Sequence, residues 1–192
     1  FRYEAHLAAT KALTVYDEVA AAFAREFGRH WPAVEAYRCD DAEVVYFMIG
    51  AFATKAKDAV DRLRERGVKV GLVRPRLLRP FPVAVLRQLL CGKLAVAVID
   101  QNLSMGKGGV LHAELASALY GLPGAPTLAS FIGGLGGRDI TPEEFYEMAK
   151  LARAAAAAGT VPEPRLLYTA GELREVRKLQ AIAQVEREGS TP

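Results

Sequence analysis

The sequence predicts an α/β fold with three layers, α/β/α, around a mainly parallel sheet of four to five strands. Two observations carry this. Apolar segments of strand length alternate four times with amphipathic segments of helix length, the order that a parallel sheet covered by helices requires. The strand candidates are apolar at nearly every position, not at every second one, which suits strands buried on both faces.

The elements follow in order. Residues 4–27 read as one amphipathic helix, with Leu13, Tyr16, Ala20, Phe23 and Phe27 on one stripe. Gly28 ends it, and Trp31-Pro32 breaks the pattern, because the residue before proline disfavours the α region. Residues 44–49 are an unbroken apolar run with β-branched and aromatic members, hence a buried strand. A helix over 54–66 follows, closed by Gly67. The unit repeats: strand 68–73 and helix 82–90, then strand 94–99 and helix 109–120, then strand 127–132 and helix 141–157. Thr141-Pro142-Glu143-Glu144 gives that last helix a capping box with proline at its first position. A proline-containing linker over 160–164 leads to a final amphipathic helix, 171–188. Three parts are therefore expected: a helix and connector (1–42), the α/β domain (43–158), and a linker with a C-terminal helix (159–192).

Composition narrows the function. The chain has 192 residues, 51% of them hydrophobic and 24% charged, with a net charge of +3, which excludes a disordered chain. A chain this size should bury roughly 70% of its surface and leave about 9,000 Å² exposed. A charge of +3 does not imply nucleic acid. No stretch reaches the ~20 apolar residues of a membrane span, and no signal peptide precedes Phe1. The chain opens without Met, which reads as part of something longer. Two cysteines, Cys39 and Cys91, cannot supply the four thiolates of an iron–sulfur cluster or a four-cysteine zinc site. Cys91 closes an apolar run and is expected to be a buried free thiol in a reducing cytoplasm.

Ligands of open α/β sheets bind at the carboxyl ends of strands, so the loops there hold the candidate residues. The loop from Asp100 to Gly109 carries Asn102, Gly106, Lys107 and Gly108. Its glycines serve tight turns or, alternatively, present amides to a phosphate; it matches neither the P-loop nor the dinucleotide fingerprint. The second loop, Gly133 to Asp139, holds Gly134, Gly136 and Gly137, which implies positive φ or close backbone approach. Its Arg138 and Asp139 are expected to form a loop-stabilising ion pair or to contact a partner. Arg74, Arg76 and Arg79 form a local basic group, read as a solvated or interfacial patch before a phosphate clamp. His6, His30 and His112 are scattered with no metal-ligand spacing, and Ser104 and Ser130 lie in no nucleophile elbow. The residues alone point to binding or interaction more than to catalysis.

Several segments in one order resemble a known family. Residues 71–82 (GLVRPRLLRPFP), 95–104 (AVAVIDQNLS), the glycines 106, 108 and 109, and residues 132–143 (IGGLGGRDITPE) are similar to the α subunits of pyruvate:ferredoxin oxidoreductases. Residues 34–38, 41–43 and 48–50 match as well, so the resemblance covers roughly 1–150. It implies a transketolase C-terminal-like domain of a thiamine-diphosphate enzyme. That enzyme oxidatively decarboxylates a 2-oxoacid, pyruvate first among them, to acyl-CoA and CO2, and passes electrons through iron–sulfur clusters to ferredoxin. The family's substrate motif, its Mg²⁺ and diphosphate motif and its cluster cysteines have no counterpart here, so no catalytic, cofactor or metal residue is carried over. What remains is a scaffold in the cytoplasm, with neither nucleic acid nor membrane as a partner. It would present Arg79, Asp100, Asn102, Gly106, Lys107, Gly108, Gly109, Gly134, Gly136, Gly137, Arg138 and Asp139 to neighbouring domains, the thiamine-binding β subunit and the ferredoxin-type subunit. Two alternatives stand beside it. One is an autonomous nucleotide- or CoA-binding module using Lys107 and the arginines; the other is an assembly protein that binds through its terminal helices.

Overall fold

A computed structural model of the chain describes residues 1–168 and 170–189. Its elements are α1 (Arg2–Phe27), β1 (Val34–Tyr37), β2 (Val44–Phe47), α2 (Ala53–Glu65), β3 (Val70–Pro75), α3 (Val83–Leu90), β4 (Ala95–Asp100), α4 (Val110–Leu119) and β5 (Thr127–Ile132), then a 3₁₀ turn (Leu135–Gly137), α5 (Pro142–Ala158), β6 (Arg165–Leu166) and α6 (Ala170–Gly189).

The sheet order is β1-β3-β2-β4-β5-β6, parallel throughout except for β1, which runs antiparallel to β3. It has six strands, not the four to five expected. Both additions are sheet edges without an apolar run. β1 has four residues and includes the charged Glu35, and β6 has two residues, both exposed. The sheet therefore extends past residues 43–158 at both ends.

Continuous apolar strands have two buried faces, and each is covered separately. On one, Tyr46, Leu72, Ala97 and Phe131 meet α2 and α5 through Ala56, Val60, Phe145 and Met148. On the other, Phe47, Val73, Val96 and Val98 meet α3 and α4 through Leu86, Leu90, Leu111 and Leu115. Each fully buried large apolar side chain contributes about 1.5–3 kcal/mol. Tyr46 keeps its hydroxyl satisfied by donating to the Phe145 carbonyl at 2.5 Å, and its ring meets Phe145 edge-on at 5.5 Å.

Helix α5 begins as its sequence dictates. Glu144 N–H donates to the Thr141 hydroxyl, and the Glu144 carboxylate accepts from Thr141 N–H. Gly28 closes α1 in the left-handed conformation, as expected. The α1 stripe itself is less covered than its periodicity suggests: Ala20 is its one buried residue, and Phe27 is exposed. Cys91 is exposed, not buried, because it sits at the end of α3, past the helix's last apolar turn; Cys39 is the buried thiol, and burial pushes it up from its ordinary pKa. No helix among the described residues is long and apolar enough to cross a membrane.

Candidate functional site

The chain steps from β2 to β3 on one side, then crosses back over β2 to β4 on the other. Such a reversal opens a crevice at the carboxyl ends of the strands where it occurs. Here it is a cleft of about 490 Å³ lined by Ile49, Gly50, Leu78, Arg79, Phe81, Ile99, Asp100, Gln101, Asn102, Val110, Leu111 and Glu114.

Asp100, the last residue of β4, organises its floor. Its carboxylate accepts from Leu111 N–H at 2.7 Å and His112 N–H at 3.2 Å, so it caps α4 from nine residues before that helix's N-cap, Gly109. Its backbone carbonyl accepts from Gly133 N–H at 2.9 Å, tying the loop after β4 to the loop after β5. Gly109 is glycine for a steric reason: a Cβ there would lie 2.1 Å from Asp100 Oδ2. Burial pushes the Asp100 carboxyl above its ordinary pKa, against the pull of the amides it accepts from. Burial likewise holds the His112 imidazole below its usual value, against the Asp100 charge.

The first glycine loop is thus committed to structure. Of the α4 amides that the alternative reading offered to a phosphate, those of Leu111 and His112 donate to Asp100. Gly106 and Lys107 are the exposed tip of a turn whose Gly108 is buried, with Ser104 N–H donating to Gly108 O and both Lys107 and Gly108 N–H donating to Ser104 O. Arg79 is exposed and pairs with Glu114 at 2.7 Å; both residues line the cleft. Gln101 Nε2 donates to Ile49 O at 3.2 Å, joining the ends of β4 and β2.

In the second loop Gly134, Gly136 and Gly137 all have positive φ, as the glycine density implied. Arg138 and Asp139 do not pair with each other. Asp139 pairs with Lys55 of α2, which holds its carboxyl below the ordinary range. Arg138 bridges Glu144 of α5 at 2.6 Å and Glu172 of α6 at 2.7 Å. The two residues stand next to each other in the chain, and each reaches a different helix.

The arginine group also divides. Arg74 and Arg76 are only 17% exposed and share one carboxylate, Glu35, at 2.5 and 3.0 Å, which Lys57 also approaches. They are not a solvated patch. Glu35, Trp31, Lys57, Lys55 and Glu114 were invisible as site residues because each acts through a pairing the linear sequence does not display. Glu35 meets Arg74 only through the β1–β3 register. All the loop candidates do share the carboxyl edge of the sheet. Among the described residues, no three His, Cys, Asp or Glu side chains cluster to hold a metal ion.

The comparisons with known proteins agree with one another. The family described as pyruvate:ferredoxin oxidoreductase core domain II matches residues 42–145, from just before β2 into α5. The pyruvate synthase subunit PorA of Pyrococcus abyssi is 38% identical over 163 residues, covering 85% of this chain and 41% of that protein. PorA of Thermotoga maritima is 43% identical over 131 residues, 68% of this chain and 33% of that protein. The ketoisovalerate oxidoreductase subunit VorA of Pyrococcus abyssi is 36% identical over 151 residues, 78% and 38%. The chain therefore spans about two fifths of the length of the curated relatives it matches. It belongs to the pyruvate:ferredoxin oxidoreductase core domain II family.

Proposed function

We propose, from that membership, that the chain is the transketolase C-terminal-like part of an α subunit in a 2-oxoacid:ferredoxin oxidoreductase. The assembled enzyme would convert a 2-oxoacid to acyl-CoA and CO2 and pass electrons to ferredoxin, in the cytoplasm. Pyruvate is the proposed substrate, since the pyruvate synthase subunit of Thermotoga maritima shares 43% identity. The single observation that carries the reading is the family match over residues 42–145, which takes in every loop at the carboxyl edge from Gly50 to Asp139.

Within that enzyme the chain's role is positional. Thiamine diphosphate, Mg²⁺, iron–sulfur clusters and CoA would supply the decarboxylation, electron transfer and acyl acceptance. The residues here do not fit the metal-bound groups, since two cysteines on separate elements cannot ligate a cluster. Those groups are assigned to the rest of the assembly, including a thiamine-binding β subunit and a ferredoxin-type subunit. The loops carrying Arg79, Asp100, Asn102, Gly106–Gly109, Gly134, Gly136, Gly137, Arg138 and Asp139 would dock against those neighbours and hold their geometry. Small displacements there matter, because reacting groups must be placed to within a fraction of an ångström. The three-part organisation 1–42, 43–158 and 159–192 is proposed with the middle part as the docking body. A nucleotide- or CoA-binding module built on Lys107 loses its main support, since Asp100 already fills the α4 terminus.

The test is reconstitution. Supplied anaerobically with the remainder of an α subunit and the partner subunits of a homologous enzyme, the chain is expected to restore CoA-dependent dye reduction with pyruvate. Assembly without activity on either pyruvate or 2-ketoisovalerate overturns the reading.

A further inference from the structure

A second groove, of about 430 Å³, adjoins the cleft and shares Ile49, Gly50 and Leu78 with it. One side is Trp31, Arg74 and Arg76; the other is the Gly50–Ala51 turn at the carboxyl end of β2. We propose that this groove is a binding site for a small dianion of the phosphate class.

The charge count carries the argument. Arg74, Arg76 and Lys57 all turn on one carboxylate, Glu35. Three cations against one anion leave an excess of two positive charges. The Arg74, Arg76 and Glu35 side chains are each only 17% exposed, so solvent screens that excess poorly. A ligand with two negative charges balances it; a singly charged one does not. The two arginines are also the charged residues of the groove lining, while Glu35 and Lys57, which pair with each other, both stand outside that lining.

The cations are held in place before any ligand arrives. Arg76 stacks on Trp31, its guanidinium carbon 4.6 Å from the ring centroid, and donates from Nη1 to Pro32 O at 3.1 Å. Arg74 is fixed opposite Glu35 by the β1–β3 register. Planar guanidinium forks of this kind match phosphate oxygens better than a flexible lysine does. The facing turn leads into α2, which has no side-chain cap and no acidic residue in its first turn. The first amides of α2 are spent within that turn, Ala53 N–H on Gly50 O at 3.4 Å and Thr54 N–H on Ala51 O at 3.0 Å, so the two arginines are the donors that the groove offers a ligand. The site is independent of the proposed oxidoreductase assignment, since every group in it belongs to this chain.

The experiment is calorimetric titration of the whole chain with inorganic phosphate at fixed ionic strength, with sulfate as a second dianion and chloride as the monovalent control. One saturable site for phosphate and sulfate, absent for chloride, is expected. Arg76→Gln should weaken phosphate binding by about tenfold or more. Ala51→Glu, at an exposed position in the groove wall, should remove it with an unchanged circular dichroism spectrum. No saturable heat at millimolar phosphate overturns the proposal, as does full binding by Ala51→Glu, even if Arg76→Gln fails to fold. Saturation by succinate but not by phosphate would give the groove to a carboxylate-bearing partner and overturn it equally.

Discussion

Helices α1 and α5 are both long, both amphipathic, and differ entirely in what they cover. α5 buries Phe145, Met148, Ala149, Ala152 and Ala155 against β2, β4 and β5; α1 is longer and buries Ala20 alone. A 3.6-residue period specifies an apolar stripe, not the surface that meets it. The consequence is visible in the whole molecule. Its exposed area is 11662 Å², against the roughly 9,000 Å² expected for a compact chain of this mass. The excess fits the exposure of α1 and α6, whose apolar residues Tyr3, Leu7, Val19, Leu179 and Val185 lie largely in solvent.

The largest effect should come from the α5 side. Phe145 is fully buried, packs on Tyr46 and sits in the main cluster between sheet and helix. Phe145→Ala leaves a cavity in a close-packed region and is expected to lower stability by about 4 kcal/mol. Urea unfolding followed by circular dichroism measures it. A loss near 1 kcal/mol would mean that α5 is no better seated than α1, and the contrast would collapse.

An intermediate effect belongs to the polar seam where β1 joins β3. Burial pushes the Glu35 carboxyl up, but Lys57, Arg74 and Arg76 outweigh that and hold it below its ordinary value. A carboxylate with a lowered folded pKa adds stability that is complete above its unfolded value, about 4.5, and is lost as pH falls through the folded one. Glu35→Gln strands three partly buried cations and should cost about 2 kcal/mol at pH 7. The gap between wild type and variant should stay constant from pH 8 down to about 5 and close below that. A gap that instead widens on acidification would reverse the sign assigned to Glu35. Asp100 works the other way: its carboxyl is raised by burial, so its protonation on acidification favours the folded state.

How much of this was legible follows from the same contrast. The four inner strands, β2 to β5, were readable because a strand buried on both faces is apolar at nearly every position, as in Val44-Val45-Tyr46-Phe47. The capping box at Thr141 was readable because its signal is local. β1 and β6 were not, because an edge strand is specified by its neighbour and not by its own composition. At the site, the glycines of 134–137 declared their positive φ in advance. Gly109 did not declare its role, since its φ of −70° is ordinary and the constraint is the Asp100 oxygen beside it. Arg138 and Asp139 were found as residues but not as partners. Adjacent side chains point apart, and the sequence does not reveal that Lys55, Glu144 and Glu172 lie nearby.

The smallest effect should come from α1, and it is the sharpest test of the comparison. Phe23 lies on the helix's apolar stripe near its C-terminal end, meets Phe27 at 4.5 Å with the rings tilted by 38°, and has Arg29 5.7 Å from its ring. Phe27 is itself exposed, so the pair shelters little area from water. Truncation to Ala forfeits that partial burial, and the gain in helix propensity, about 0.5 kcal/mol, offsets much of it. Phe23→Ala should therefore change the urea midpoint of the isolated chain by no more than about 0.5 kcal/mol equivalent, an order of magnitude below Phe145→Ala. In the reconstituted assembly the same substitution should cost more if a neighbour covers the stripe there. A loss above about 2 kcal/mol in the isolated chain would show that α1 is already seated on the body, and the two helices would then differ in degree only.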